Sequence, residues 1–227
     1  MVKAVFFGSF CTLANLADLE RRAFNRTFKA HRIDLHWSET DYAQLIRTRG
    51  RYEGPNELLA TLGRKANGAF LQDLETHFQE LVDSTQLELN PWTARALAEL
   101  ARRRPVTRTV LVTGAPRQTG LRVLAALFQN RASSAFNLVT CKEMGCVPKP
   151  SPQLYTLALD HLNLTPDDVL AVETTQHGLQ AAQDAGIRTA GLATRYTGVE
   201  DLSNADLELA GSMELTIEGF LSLKTAA

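Results

Sequence analysis

Hydrophobic positions along this chain fall into two textures. Residues 2–7 form a nearly continuous apolar run closed by Gly8 and Ser9, the pattern of a strand buried on both faces of a parallel sheet. From residue 16 to about residue 84 apolar residues recur at helical spacing, as at Leu19, Ala23, Phe24 and Phe28 and again at Leu71, Leu74, Phe78 and Leu81. That block is expected to be all helix. After Asn90, an expected N-cap followed by Pro91 at the first helical position, short apolar runs return at residues 108–114, 135–141, 168–174 and 188–194. Helical patterns over residues 118–128, 152–162 and 179–185 separate them. Such alternation predicts an α/β fold: a doubly wound parallel sheet, with sites at the carboxyl ends of its strands. The expected division is a core of residues 1–15 and 86–227 carrying an inserted, all-helical domain of residues 16–85.

Composition narrows the class without naming a function. The 227 residues are 44% hydrophobic and 22% charged, as in ordinary globular proteins. A net charge of −1 gives no field to draw nucleic acid or an anionic membrane, and neither is an expected partner. The cluster of Arg102, Arg103, Arg104 and Arg108 reads as a helix C-terminus. No apolar run approaches the roughly 20 residues needed to cross a bilayer. Cys11, Cys141 and Cys146 cannot all pair and show no zinc-site spacing, so reduced thiols in a cytoplasmic protein are expected.

At the strand ends stand Gly8 to Thr12 after the first strand, Thr113 and Gly114 after the second, Lys149 between two prolines after the third, and Glu173 with Thr174 after the fourth. A hydroxyl, an ammonium and helix N-termini at one sheet edge make a phosphate cradle. Phosphoryl transfer also needs a nucleophile and a charge-neutralising group, usually magnesium held by carboxylates. The first strand delivers no carboxylate.

The ordered segments VFFGSFCTL, VLVTGAPRQ, PKPSPQLY and VLAVETTQHGLQAAQDAGIRTAGL resemble the haloacid dehalogenase-like (HAD) superfamily, in its β-phosphoglucomutase and CbbY-like sugar-phosphate phosphatase branch. The stretch DLHWSETDYAQLIRTRGRYEG is similar to that branch's helical cap. The resemblance implies a first-strand loop of the form Asp-x-Asp-Gly-Thr-Leu, in which one Asp attacks phosphorus and the next is acid and base. Here those positions hold Gly8 and Phe10. The resemblance further implies phosphate contacts from Thr12, Thr113, Gly114 and Lys149. It implies a fourth-motif acidic pair, of which Glu173 remains and Thr174 replaces the other member.

Both catalytic carboxylates are thus missing, and no intact catalytic residue is expected. Glu173, helped by the Phe10 carbonyl, would be a weak metal site, so no cofactor is expected; magnesium enters only if an unorthodox hydrolase survives. Ser9 should point away from Gly8's direction, and Asp167 and Asp168 should lie at the wrong edge of the sheet. Lys149 either keeps an anion or balances Glu173, and Thr113 either contacts phosphate or caps a turn. Cys11 is read mainly as a packed thiol and His177 as a residue at a helix start. Tyr42, Arg47, Arg49 and Arg51, with Tyr52, either meet a ligand's second anionic group or are solvated helix surface. The expected function is a catalytically silent HAD-like protein binding a phosphorylated small molecule, another anion or a protein partner. The alternative is an active phosphatase on small phosphorylated sugars using non-standard residues.

Overall fold

The structure is a computed structural model that describes residues 2–49, 67–102, 106–128, 135–194 and 202–209. Within them, strands β1 (Ala4–Gly8), β2 (Arg108–Val112), β3 (Leu138–Val139), β4 (Val169–Glu173), β5 (Arg188–Gly191) and β6 (Leu207–Glu208) form one sheet in the order β3-β2-β1-β4-β5-β6. Every pairing is parallel. Between β1 and β2 lie α1 (Leu16–Ala30), α2 (Glu39–Arg49), α3 (Gly68–Ser84) and α4 (Pro91–Arg102). Helices α5 (Arg117–Phe128), α6 (Gln153–Leu162) and α7 (Gln176–Asp184) follow β2, β3 and β4.

The central strands β1 and β4 bury every residue because helices cover both faces. Side-chain alternation divides them. Val5, Phe7, Leu111 and Val172 pack with Trp92, Ala96 and Leu100 of α4 and Val123 of α5 on one face. Phe6, Val110, Val112 and Ala171 pack with Leu154, Tyr155 and Ala158 of α6 and Ala181 of α7 on the other.

The helical insertion is rooted in this core. Leu16, Leu19 and Ala23 of α1 and Phe78, Leu81 and Val82 of α3 belong to the same cluster as Phe7 and Val172. Farther out, Phe24, Phe28, Trp37, Tyr42 and Phe70 build an aromatic cluster of their own, with Phe28 and Trp37 edge to face at 4.7 Å between centroids.

Three local expectations shift. The run at 135–141 yields only Leu138–Val139 as strand, because β3 is an edge and side chains stand in for its ladder. The Asn137 side-chain Oδ1 accepts from the Thr109 amide at 2.8 Å, and the Thr109 hydroxyl donates to the Ala135 carbonyl at 2.6 Å. The two-residue β6 carries no periodicity long enough to read. Asn90 does more than begin α4: its side-chain amide donates to the carbonyls of Cys11 and Thr12 at 2.9 and 3.0 Å, tying the β1 loop to the α4 start.

Candidate functional site

Register decides what stands at the sheet's carboxyl edge. Phe7 pairs with Val172, so the next residues along, Gly8 and Glu173, are neighbours on the face that α6 covers. A Cβ on Gly8 would lie 2.0 Å from the Glu173 carboxyl carbon, and one on Gly178, in the first turn of α7, would lie 2.2 Å from its Oε2. The Glu173 carboxylate therefore occupies the space a side chain at position 8 would need, sandwiched between two glycines and only 1% exposed.

A buried carboxylate requires partners. Oε1 accepts from the Lys149 ammonium and from the Tyr155 hydroxyl, both in short contacts. The Thr174 amide lies 3.4 Å from Oε2. Lys149 in turn donates to the Val112 carbonyl at 3.2 Å and reaches the Tyr155 oxygen at 3.5 Å, with its nitrogen 4.9 Å from the Tyr155 ring centroid. An ammonium has three hydrogens, and three acceptors are present. Burial first, then the Glu173 charge and hydrogen bond, hold the Tyr155 hydroxyl well above its ordinary pKa. Tyr155 and Gly178 are members of the site that sequence reasoning missed; the only signal was a tyrosine on the helix after Lys149 and a glycine one turn after Glu173.

The loop after β1 is also closed upon itself. Ser9 sits in the left-handed region, with φ of 77°, and its hydroxyl accepts from the Cys11 amide at 3.4 Å. The Phe10 carbonyl accepts from the amides of Leu13 and Ala14 at 3.0 and 2.9 Å, so both of its lone pairs are spent in the turn and it does not turn toward Glu173. Thr12 is a correction to its expected role in binding. It is fully buried, its hydroxyl donates to the Ser9 carbonyl at 2.7 Å, and it does not line the cleft, because the 3-10 turn Phe10–Thr12 rolls it inward.

Above this edge, between the sheet and α1 to α3, lies a cleft of about 660 Å³. Its walls include Phe10, Leu16, Phe24, Ile46, Leu74, Phe78, Val123 and Leu154. Thr113, Gly114, Lys149, Glu173 and Thr174 also line it, and so do His177 and Cys11, which the sequence reads as a residue at a helix start and a packed thiol. The Thr113 hydroxyl accepts from the Ala115 amide at 3.1 Å, the turn-capping option for this residue, and its backbone amide donates to Thr140 at 2.7 Å. The Thr174 hydroxyl is buried with no hydrogen-bond partner. Tyr42 lines the cleft, buried in the aromatic cluster, and donates to Glu20 at 3.1 Å. The side chains of Arg47 and Arg49, and all of Arg51 and Tyr52, lie outside the described residues. Asp168 stands at the opposite edge, paired with Lys3 at 2.9 Å, as strand order requires.

Residues 3–186 match the family described as haloacid dehalogenase-like hydrolase. The chain belongs to this family. It is 33% identical to the protein CbbY of Rhodobacter capsulatus over 211 residues, 90% of this chain and 91% of that one. Its fold superposes on a crystal structure of CbbY from Rhodobacter sphaeroides in complex with xylulose-1,5-bisphosphate, with a TM-score of 0.79 and 29% identity over 92% and 94% of the two chains. A second CbbY structure, in complex with phosphate, aligns equally well. These likenesses place the chain in the CbbY-like branch of the HAD hydrolases.

Magnesium, usual in this family, does not fit the donor set. That ion takes near-octahedral oxygen ligands and is typically held through one or two carboxylates. Here one carboxylate is present, its Oε1 is committed to Lys149 and Tyr155, and the Phe10 carbonyl is committed to the turn. Among the described residues no group of three or more acidic, His or Cys side chains could hold a metal.

Proposed function

We propose that this HAD-family chain has given up phosphoryl transfer and uses the cleft between its sheet edge and its inserted helices to hold a small molecule. One observation carries the reading: the Glu173 carboxylate fills the side-chain space beside Gly8, where the family's nucleophile would project, and engages Lys149 there. Position 10, the acid/base position, presents a buried Phe ring packed 3.5 Å from where a Cβ on Gly120 would stand. Loss of general acid-base catalysis alone costs about 10²–10⁴-fold, and the covalent route goes with its nucleophile. No metal cofactor belongs to this reading, since the ligands it would need are replaced or engaged.

Glu173 is not a relocated nucleophile. It is held at its β-strand root, 1% exposed, with two donors on one oxygen. A phosphorylated metabolite is the ligand that kinship with CbbY suggests. Against it stands Lys149, whose hydrogens all face protein acceptors.

The test is phosphate release from a panel of sugar phosphates and bisphosphates with magnesium, comparing the natural chain with Lys149→Ala. No release above that control is expected. Turnover by the natural chain that Lys149→Ala abolishes would overturn the proposal.

A further inference from the structure

The inserted helices meet the core through more than their two chain connections. Thr119, in the first turn of α5 and only 9% exposed, donates its hydroxyl to the Glu75 carboxylate of α3 at 2.7 Å. Gln79, one turn along α3, donates to the same oxygen at 2.7 Å. Nearer the end of α3, Asp83 pairs with Arg122 of α5 at 2.8 Å, but both side chains are well exposed and such a pair adds little. Thr119 and half-buried Glu75 therefore form the polar contact that matters between insertion and core.

Phe10 closes the same seam with apolar surface. Its ring lies 3.5 Å from where a Cβ on Gly120, the residue after Thr119, would stand. It belongs to one buried cluster with Leu16, Leu19 and Ala23 of α1 and Phe78, Leu81 and Val82 of α3. Its neighbour Cys11 joins the insertion's own aromatic cluster, and Leu74 of α3 packs against both clusters. The carboxylate implied for position 10 by the family resemblance would keep this junction polar and hydrated; the phenylalanine makes it adhesive.

The connections are pinned as well. A lid turns about a few residues whose φ and ψ change. Leu13 and Ala14, which lead toward α1, are 0% and 1% exposed, and both of their amides bond to the Phe10 carbonyl. The Leu13 carbonyl accepts from the Asn90 amide at 2.6 Å, where the chain returns to the core, so the two connections are tied to each other.

We propose that the inserted helices are latched shut on the core, with Phe10 and the Thr119–Glu75 bond as the latch, so that the cleft is a fixed pocket and has no working lid. Opening breaks a hydrogen bond to a charged group and exposes a large apolar side chain, each worth about tenfold or more in an equilibrium. Together they favour closure by about a hundredfold. This inference concerns motion and holds whether or not the cleft takes a small molecule.

The experiment places nitroxides on p-acetylphenylalanine introduced at Gln72 of α3 together with Asp160 of α6 or Gln180 of α7, all exposed positions. Double electron–electron resonance on the full chain then reads two distances between insertion and core. The otherwise natural chain is expected to give one narrow distance for each pair, with open molecules below about 1%. Phe10→Ala with Thr119→Val should shift the open-to-closed ratio about a hundredfold and add a second distance in at least about a tenth of the molecules. Thr119→Ser, which keeps the hydroxyl, should keep the single distance. Should the Phe10→Ala protein fail to fold by circular dichroism, Thr119→Val with Arg122→Gln replaces it, with a shift of about tenfold expected. The proposal is overturned if the natural chain shows a second distance or a broad continuum, or if the folded latch variant keeps single narrow distances.

Discussion

Gly8 and Glu173 share one volume: a Cβ on the first would stand 2.0 Å from the carboxyl carbon of the second. Adjacent parallel strands place the two residues side by side on the same face, so a side chain at one position and the observed rotamer at the other exclude each other. This single exclusion connects the glycine at position 8 to the burial of Glu173 and to the committed ammonium of Lys149.

The exclusion is measurable as non-additivity. Gly8→Ala alone should destabilise the chain by about 1–3 kcal/mol through overpacking. In a Glu173→Ala background the same change should cost nearly nothing, a coupling of about 1 kcal/mol or more. Urea unfolding of the four proteins of the cycle measures it. Equal costs in both backgrounds would mean that Glu173 does not occupy this space.

Restoring acidic residues at the family's positions should not restore turnover by itself. The triple variant Gly8→Asp, Phe10→Asp and Thr174→Asp puts a carboxylate where Glu173 already stands, adding steric overlap to like-charge repulsion. Phosphate release at the level of the Lys149→Ala control is expected, with a lowered unfolding midpoint. Robust magnesium-dependent release would show that Glu173 swings away freely.

Tyr155 gives an alkaline signature. Its folded-state pKa is raised above that of the unfolded chain, so unfolding releases a proton once the pH exceeds the ordinary phenol value, about 10. Stability from the neutral hydroxyl is therefore complete below that value and is lost as pH rises from it toward the folded-state pKa. Tyr155→Phe should lower neutral-pH stability by about 1–3 kcal/mol, having left a buried acceptor short of a donor, and should flatten the decline above pH 10. Denaturation at several alkaline pH values compares the slopes; parallel slopes would rule the linkage out.

Thr174 runs the other way. Its buried hydroxyl has no partner, and replacing such a group with an apolar isostere removes a desolvation cost. Thr174→Val should leave the unfolding free energy unchanged or raise it by up to about 1 kcal/mol, as read by urea unfolding. A loss of more than that would reveal a hydrogen bond this hydroxyl makes in solution.

The chain's own pattern was enough to settle the architecture. Short continuous apolar runs and period-3.6 stretches are local properties, and they located β1, β2, β4 and β5, the helices and the strand ends where the candidate site lies. The absence of carboxylates at Gly8 and Phe10 was equally legible, because a missing functional group needs no coordinates. The direction of Glu173 was not. It depends on which residue of β1 stands beside which residue of β4, and the register of strands far apart in sequence is set by packing of the whole sheet. Tyr155 and Gly178 became site residues only when α6 and α7 brought them against that carboxylate, and the roll of Thr12 away from the cleft followed from the closed turn at Phe10–Thr12. Which groups the chain carries was written in the sequence; which of them consume one another's charge and space was decided by tertiary contact.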